Sequence, residues 1–170
     1  MSASRPCKPH KALSAHGTTG SRIIDILSAT AVPETTLTLL RGWFEDQWGS
    51  IDPFTGNHPG IAVPAPLVAV DQQGALLGGL AFSSFAKPNA ATVAVWVNAL
   101  LVAPNHRRQG IAAALVAQAT TAAQNLAILE LFVLTEYPGL YEKAGWIPMA
   151  LAAQRQEVIL MKTVPPRHSA

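Results

Sequence analysis

The strongest chemical potential in this sequence lies in Arg107, Arg108 and Gly110. They sit in the run Ala99-Leu-Leu-Val-Ala-Pro-Asn-His-Arg-Arg-Gln-Gly-Ile-Ala-Ala-Ala-Leu. An apolar strand ends at Val102, a loop runs from Pro104 to Arg108, and a helix opens near Gly110. Backbone N–H groups at a helix start have no partner inside the helix, and the helix dipole favours negative charge there. A phosphate is the natural guest. Gly110 lets the backbone approach it closely, Ala112 leaves the next turn unobstructed, and the two arginines add positive charge. Only one glycine is present, so this is not the GxGxxG pattern of dinucleotide sites.

Arg107-x-x-Gly110-x-Ala112, behind the strand end Val102-x-Pro104, resembles the pyrophosphate loop of the GNAT acyltransferase superfamily. That family's pattern is Arg/Gln-x-x-Gly-x-Gly/Ala, and its guest is the diphosphate of coenzyme A. Further on, Leu140-Tyr141-Glu142-Lys143-Ala144-Gly145-Trp146 is similar to the family's Tyr-Glu-Lys-x-Gly-Phe signature, with Trp146 as the final aromatic. The two elements occur in the family's order, with helix, strand and helix between them. The resemblance covers about residues 65–150; the first helix and the following loop match only in layout.

The resemblance implies an α/β (α+β) fold. Its mixed, mostly antiparallel sheet would have six to seven strands, flanked by helices, with one splayed parallel pair. It implies acetyl-CoA as co-substrate, held where Val97–Val102 and Leu131–Thr135 part. Backbone groups of Leu100, Leu101 and Val102 would pair with the pantetheine arm, as a sheet edge accepts a peptide. An N–H near Leu100 would polarise the thioester carbonyl. Arg107, Arg108, Gln109, Gly110, Ile111, Ala112 and Ala113 would hold the diphosphate. Tyr141 matches the family's general acid, which protonates the leaving thiolate; the plain alternative is a packed structural tyrosine. Thr135 stands where relatives often keep a donor-contacting Asn, and it either bonds the pantetheine or simply finishes its strand.

An alkyl ammonium, with a pKa near ~10, must lose a proton before it attacks a thioester. Many relatives place a carboxylate for this on the strand matching Thr92–Val102, and this strand has none. Asn98 is its one strongly polar central residue, and it has two readings. It holds a water that relays the proton, or it occupies a β-bulge. Glu45, Asp46 and His106 are the other titratable candidates. In the family, acceptor choice falls to the first helix, the loop after it and the last hairpin. Trp43 and Asp46, with Glu45 and Trp48, could form an aromatic and acidic wall for a cationic amine. The competing reading puts Phe44 and Trp48 in the core and the acids in water. A small-molecule amine is the expected acceptor, and a homodimer is an open option.

Several elements must position these residues. Arg22–Leu27 reads as a first strand. Pro33-Glu34 suits a helix start, Leu37, Leu40, Phe44 and Trp48 recur at helical spacing, and Gly49 suits its end. Residues 49–66 are rich in proline and glycine and read as a long functional or mobile loop. Leu67–Val70 and Ala75–Phe82 flank a turn at Asp71-Gln72-Gln73-Gly74. Thr92–Val102 is a long β-type run. Gly110 to Gln124 is an alanine-rich helix built on Ile111, Ala114, Leu115, Gln118 and Ala122, closed by Asn125. Leu126–Leu134, Tyr137–Ala144, Trp146–Met149 and Glu157–Val164 follow as strand, short helix, strand start and last strand.

The length of 170 residues suits one compact domain, read as residues 22–170 behind a disordered basic tail at 1–21. Residues 1–22 hold Arg5, Lys8, Lys11 and Arg22 without an acid, and the rest carries eight basic against ten acidic residues. Such a tail also suits nucleic acid, anionic lipid or organelle import, although no nucleic-acid or membrane partner is expected. No run reaches the ~18 apolar residues of a membrane span. Cys7 is the single cysteine, so no internal disulfide or cysteine-rich zinc site can form, and no metal is expected. That suits a cytoplasmic protein. Two functions from different classes follow: an N-acetyltransferase, or a non-catalytic acyl-CoA-binding sensor.

Overall fold

The computed structural model describes residues 23–49, 59–149 and 157–167. Residues 1–22, 50–58, 150–156 and 168–170, which include the expected basic tail and much of the expected loop at 49–66, lie outside the described residues. Those that are described form a seven-stranded sheet in the order β1-β2-β3-β4-β5-β7-β6. Its strands are β1 (Ile24–Ser28), β2 (Leu67–Asp71), β3 (Leu76–Ala86), β4 (Val93–Val102), β5 (Glu130–Thr135), β6 (Ile147–Pro148) and β7 (Val158–Thr163). Every neighbouring pair is antiparallel except β4 and β5. A parallel pair needs a crossover, and the helix α2 (Ile111–Asn125) supplies it. Helix α1 (Glu34–Trp48) follows β1, and the five-residue α3 (Pro138–Glu142) follows β5. None of the described helices is long and apolar enough to cross a membrane.

Local chemistry explains the joints. Asp71 Oδ1 accepts the N–H groups of Gln73 and Ala75, and Gly74 takes φ 80°, which closes the β2–β3 hairpin. Helix α1 stops at Gly49, whose φ of 79° suits glycine and whose N–H reaches the Glu45 carbonyl.

The two faces of the sheet carry separate cores. On one, α2 buries Ile111, Leu115, Val116, Ala119 and Ala123 against Leu77, Val95, Val97, Leu131, Val133 and Leu160. Each large apolar side chain buried there contributes about 1.5–3 kcal/mol. On the other, α1 sets Leu40 and Phe44 against Val68, Val70, Ala81 and Ala99.

Several expectations shift. The buried row of α2 is not Ala114, Gln118 and Ala122, which flank it half-buried. Asn125 stays helical. The turn falls instead on Leu126 and Ala127 (φ 54°), because Leu126, Ala127 and Ile128 donate to the last carbonyls at Ala123 and Gln124. With those N–H groups spent, β5 starts at Glu130 rather than Leu126. Trp48 is 42% exposed, one turn beyond the buried Phe44 on which it rests with ring centroids 5.7 Å apart.

The close approach of β3 to its neighbours depends on two glycines. A Cβ at Gly79 would collide with the Leu40 side chain of α1. A Cβ at Gly78 would stand 2.6 Å from the Leu101 carbonyl oxygen and 3.2 Å from Val102 Cα, both backbone atoms of β4. Gly78→Ala should therefore cost about 1–3 kcal/mol. Urea unfolding should show a lower midpoint with an unchanged slope. An unchanged midpoint would contradict this account of the β3–β4 contact.

Candidate active site

Two strands part company in this sheet. β4 and β5 pair only through Val95↔Leu131, Trp96↔Phe132 and Val97↔Val133. Beyond that, β4 continues beside β3 as far as Val102, and β5 continues beside β7 as far as Thr135. The cause is local. Opposite β3, Phe82 pairs with Val97 and Ala81 pairs with Ala99, so Asn98 is an extra residue on β4. An inserted residue bends its strand and sharpens the twist. It also switches the faces: Val95 and Val97 look to the α2 side, whereas Ala99 joins the α1 side and Leu100 returns to the α2 side. Asn98 itself is exposed at the point of separation. From Asn98 onward, β4 thus presents an edge that β5 leaves unpaired.

That edge leads into the loop before α2. A short 3₁₀ turn, Pro104–His106, begins it, with His106 half-buried. Arg107 Nε donates to the Val102 carbonyl at 3.1 Å, which ties the loop back to the strand and occupies one of the backbone groups expected to face a ligand. Arg108 takes φ 60° and Gly110 φ 82°. A left-handed arginine is strained and persists only where the surroundings impose it. Gly110 has open space where a Cβ would stand. The first turn of α2 closes with the Ala114 N–H on the Gly110 carbonyl. Among the described residues, the backbone N–H groups from Arg108 through Ala113 have no hydrogen-bond acceptor. A run of free donors at a helix start, beside an exposed arginine, fits a diphosphate and is costly to leave dry.

Tyr141 stands on α3, directly after β5. It is 3% exposed and belongs to the same buried cluster as Val97 and Val133, the last residues to pair before the strands separate. Leu100 packs on that cluster. The Tyr141 ring meets Trp146 edge to face, with centroids 5.2 Å apart at 72°. Burial pushes the phenol well above its ordinary pKa, so it holds its proton throughout the neutral range. Thr135 Oγ1 accepts the Tyr137 N–H at 3.0 Å, so this hydroxyl closes the turn into α3.

Other expected residues lie apart from this centre. Trp43 is half-buried on α1, against the opposite core. Asp46 and Glu45 are exposed near the end of α1. An open groove of about 390 Å³ lies at the beginnings of β4 and β5, the far end from the separation. Lys87 and Glu130, which form an ion pair, line it with Ile61, Thr92 and Leu129. The loop before α2 does not line that groove. The sequence reading missed Lys162 of β7, whose ammonium donates to the Ala144 and Gly145 carbonyls just after α3. Its one signal was a charge inside an otherwise apolar strand. Among the described residues, no group of His, Cys, Asp or Glu could hold a metal.

Residues 65–148 match the family model of an acetyltransferase (GNAT) domain. No curated protein matches the sequence significantly. Solved structures share the fold at low identity. One is the GNAT-family N-acetyltransferase YhbS of Escherichia coli in complex with CoA, at 17% identity and TM-score 0.57, covering 85% of this chain and 82% of that one. Another is Arabidopsis thaliana NAA60 with acetyl-CoA, at 13% and 0.59, covering 84% and 99%. A third is N-acetylglutamate synthase of Neisseria gonorrhoeae with coenzyme A and N-acetylglutamate, at 16% and 0.57, covering 84% and 35%. The family model spans the separated strands, the loop before α2 and the helix that carries Tyr141, so across residues 65–148 the chain is a GNAT acetyltransferase domain.

Proposed function

We propose that this protein is an acyl-CoA-dependent N-acetyltransferase that acetylates the primary amine of a small molecule, with Tyr141 as general acid. The observation that carries the reading is a continuity. The unpaired edge of β4 from Asn98 runs directly into the free N–H groups of Arg108 to Ala113. A ligand with an amide-bearing arm and a diphosphate matches that order, and acetyl-CoA has both. Coenzyme A or acetyl-CoA accompanies the similar structures from Escherichia coli and Arabidopsis thaliana.

In this reading the β4 edge aligns the arm by backbone hydrogen bonds, and an edge N–H near Leu100 steadies the thioester oxygen as charge develops. The neutral amine nitrogen bonds to the acyl carbon, the carbon–sulfur bond breaks, the sulfur takes the Tyr141 proton, and the proton that the nitrogen sheds as the amide forms returns to the phenolate. Burial keeps the phenol protonated, so it holds the proton that the leaving thiolate takes. Asn98, exposed where the strands part, holds the water through which the ammonium proton leaves. The acetylated amino acid in the Neisseria structure supports a small acceptor.

Calorimetric titration of acetyl-CoA tests the donor site. Arg108→Glu should weaken binding by about tenfold, or 1.4 kcal/mol. Gly110→Val should weaken it further, because a β-branched residue resists φ 82°. Unchanged affinity in both variants would remove the donor site from this loop. Tyr141→Phe should lower kcat by about 100-fold with acetyl-CoA affinity retained, in a thiol-release assay over a panel of primary amines. Because its pKa is raised, the proton-bearing form persists as pH rises, so wild-type kcat should show no alkaline fall up to about pH 10. An unchanged kcat in Tyr141→Phe would contradict the acid role. Acetyl-CoA binding with no turnover on any amine would favour the sensor function.

A further inference from the structure

Helix α3 is only five residues long, too short to hold its shape by its own hydrogen bonds. Whatever aims Tyr141 must therefore come from outside the helix. One such tie crosses from β7. Val158, Leu160 and Lys162 alternate along that strand and Val164 follows just past its end; Val158, Leu160 and Val164 pack in the core that also contains Tyr141. Lys162 thus occupies a core-row position, in register with the fully buried Leu131 of β5. An ammonium is costly in such a row unless its donors are satisfied. It donates to the Ala144 carbonyl at 2.8 Å and to the Gly145 carbonyl at 3.3 Å.

The same turn grips Tyr141. The Ala144 N–H reaches the Tyr141 carbonyl at 2.9 Å, and the Trp146 N–H reaches it at 3.1 Å. The Gly145 N–H meets the Glu142 carbonyl at 2.9 Å. Gly145 takes φ 76°, and a Cβ there would come within 2.9 Å of Lys162 Nζ, so the turn leaves room for this ammonium and little more. Beyond the turn, the buried Trp146 ring presses on the Tyr141 ring. A continuous chain of contacts runs from β7 through the ammonium and the turn to the phenol.

We propose that Lys162 is a positioning residue for acyl transfer: its ammonium latches the turn after α3 and so fixes the direction of the Tyr141 hydroxyl. The proposal rests on the general-acid reading of Tyr141. It predicts a defect in the proton-transfer step and none in donor binding, since the Lys162 ammonium bonds to the turn after α3 and not to the β4 edge or the loop before α2.

Full-length wild type, Lys162→Met, Lys162→Arg and Gly145→Ala are compared by thiol release on an amine that wild type accepts. Acetyl-CoA titration reports whether each variant keeps its donor site. Lys162→Met and Gly145→Ala should each lower kcat about tenfold to a hundredfold, with KM for acetyl-CoA within about twofold. Lys162→Arg, which keeps a cationic donor, should recover most of the rate. In a Tyr141→Phe background, Lys162→Met should add no further loss, because both changes disable one step. Equal losses in the two backgrounds would overturn the proposal while leaving the acid role intact. An unchanged kcat in Lys162→Met would overturn it as well. A Tyr141→Phe variant with full activity would instead overturn the acid reading, and this proposal with it. If Lys162→Met does not fold, Lys162→Arg and Gly145→Ala decide: full activity in Gly145→Ala would overturn the latch.

Discussion

A parallel ladder rarely absorbs a residue inserted on one strand only. Asn98 is such a residue: β3 absorbs it as a bulge, β5 does not, and the β4–β5 pair ends at Val97 and Val133. Backbone donors and acceptors on the β4 edge beyond Val97 are then left without a partner on β5, inside the sheet rather than at its border strands β1 and β6. The bulge also reverses which side chains face each core. Ala99 and Leu101 turn to α1, and Leu100 and Val102 to α2, so both layers stay packed across the gap. The opening is stable because each strand keeps its other neighbour: β3 for β4, and β7 for β5.

The crossover that a parallel pair requires brings the second half of the site. Helix α2 must start at the end of β4, and its first N–H groups point outward with nothing among the described residues to accept them. Arg107 holds the loop down onto Val102, and the left-handed Arg108 and Gly110 set the donors in a row. Strain in that loop is offset by the α2 core beneath it, where Ile111, Leu115 and Val116 are fully buried. One topological fact, a parallel pair that separates, thus leaves a strand edge without a partner on β5 and sets the opening turn of α2 at the end of the same strand.

The sequence showed part of this clearly. Arg107-x-x-Gly110-x-Ala112 and Tyr141 to Trp146 were legible because each is a contiguous pattern whose local geometry follows from its own residues. The layout of a mixed, mostly antiparallel sheet with one splayed pair followed from the same resemblance. Asn98 was half legible: an isolated polar residue in an apolar strand announces an irregularity, but only the pairing with Phe82 and Ala81 distinguishes a bulge from a register position. The end of α2 was misread because Ala127, with no sequence signature for positive φ, makes the turn expected of Asn125. Trp48 was misplaced since helical spacing marks a face without saying where along the helix its burial ends. Lys162 was invisible for a tertiary reason: its carbonyl partners belong to a turn seventeen and eighteen positions away.

The most direct measurement of the central claim is backbone amide exchange with and without acetyl-CoA, followed residue by residue. The account predicts that protection on binding concentrates at Asn98–Leu101 and at Arg108–Ala113, because those donors gain acceptors there. The β3 partners of β4 should change little, their ladder being already complete. Protection at neither stretch, or protection centred on the groove beside Lys87 and Glu130, would contradict it.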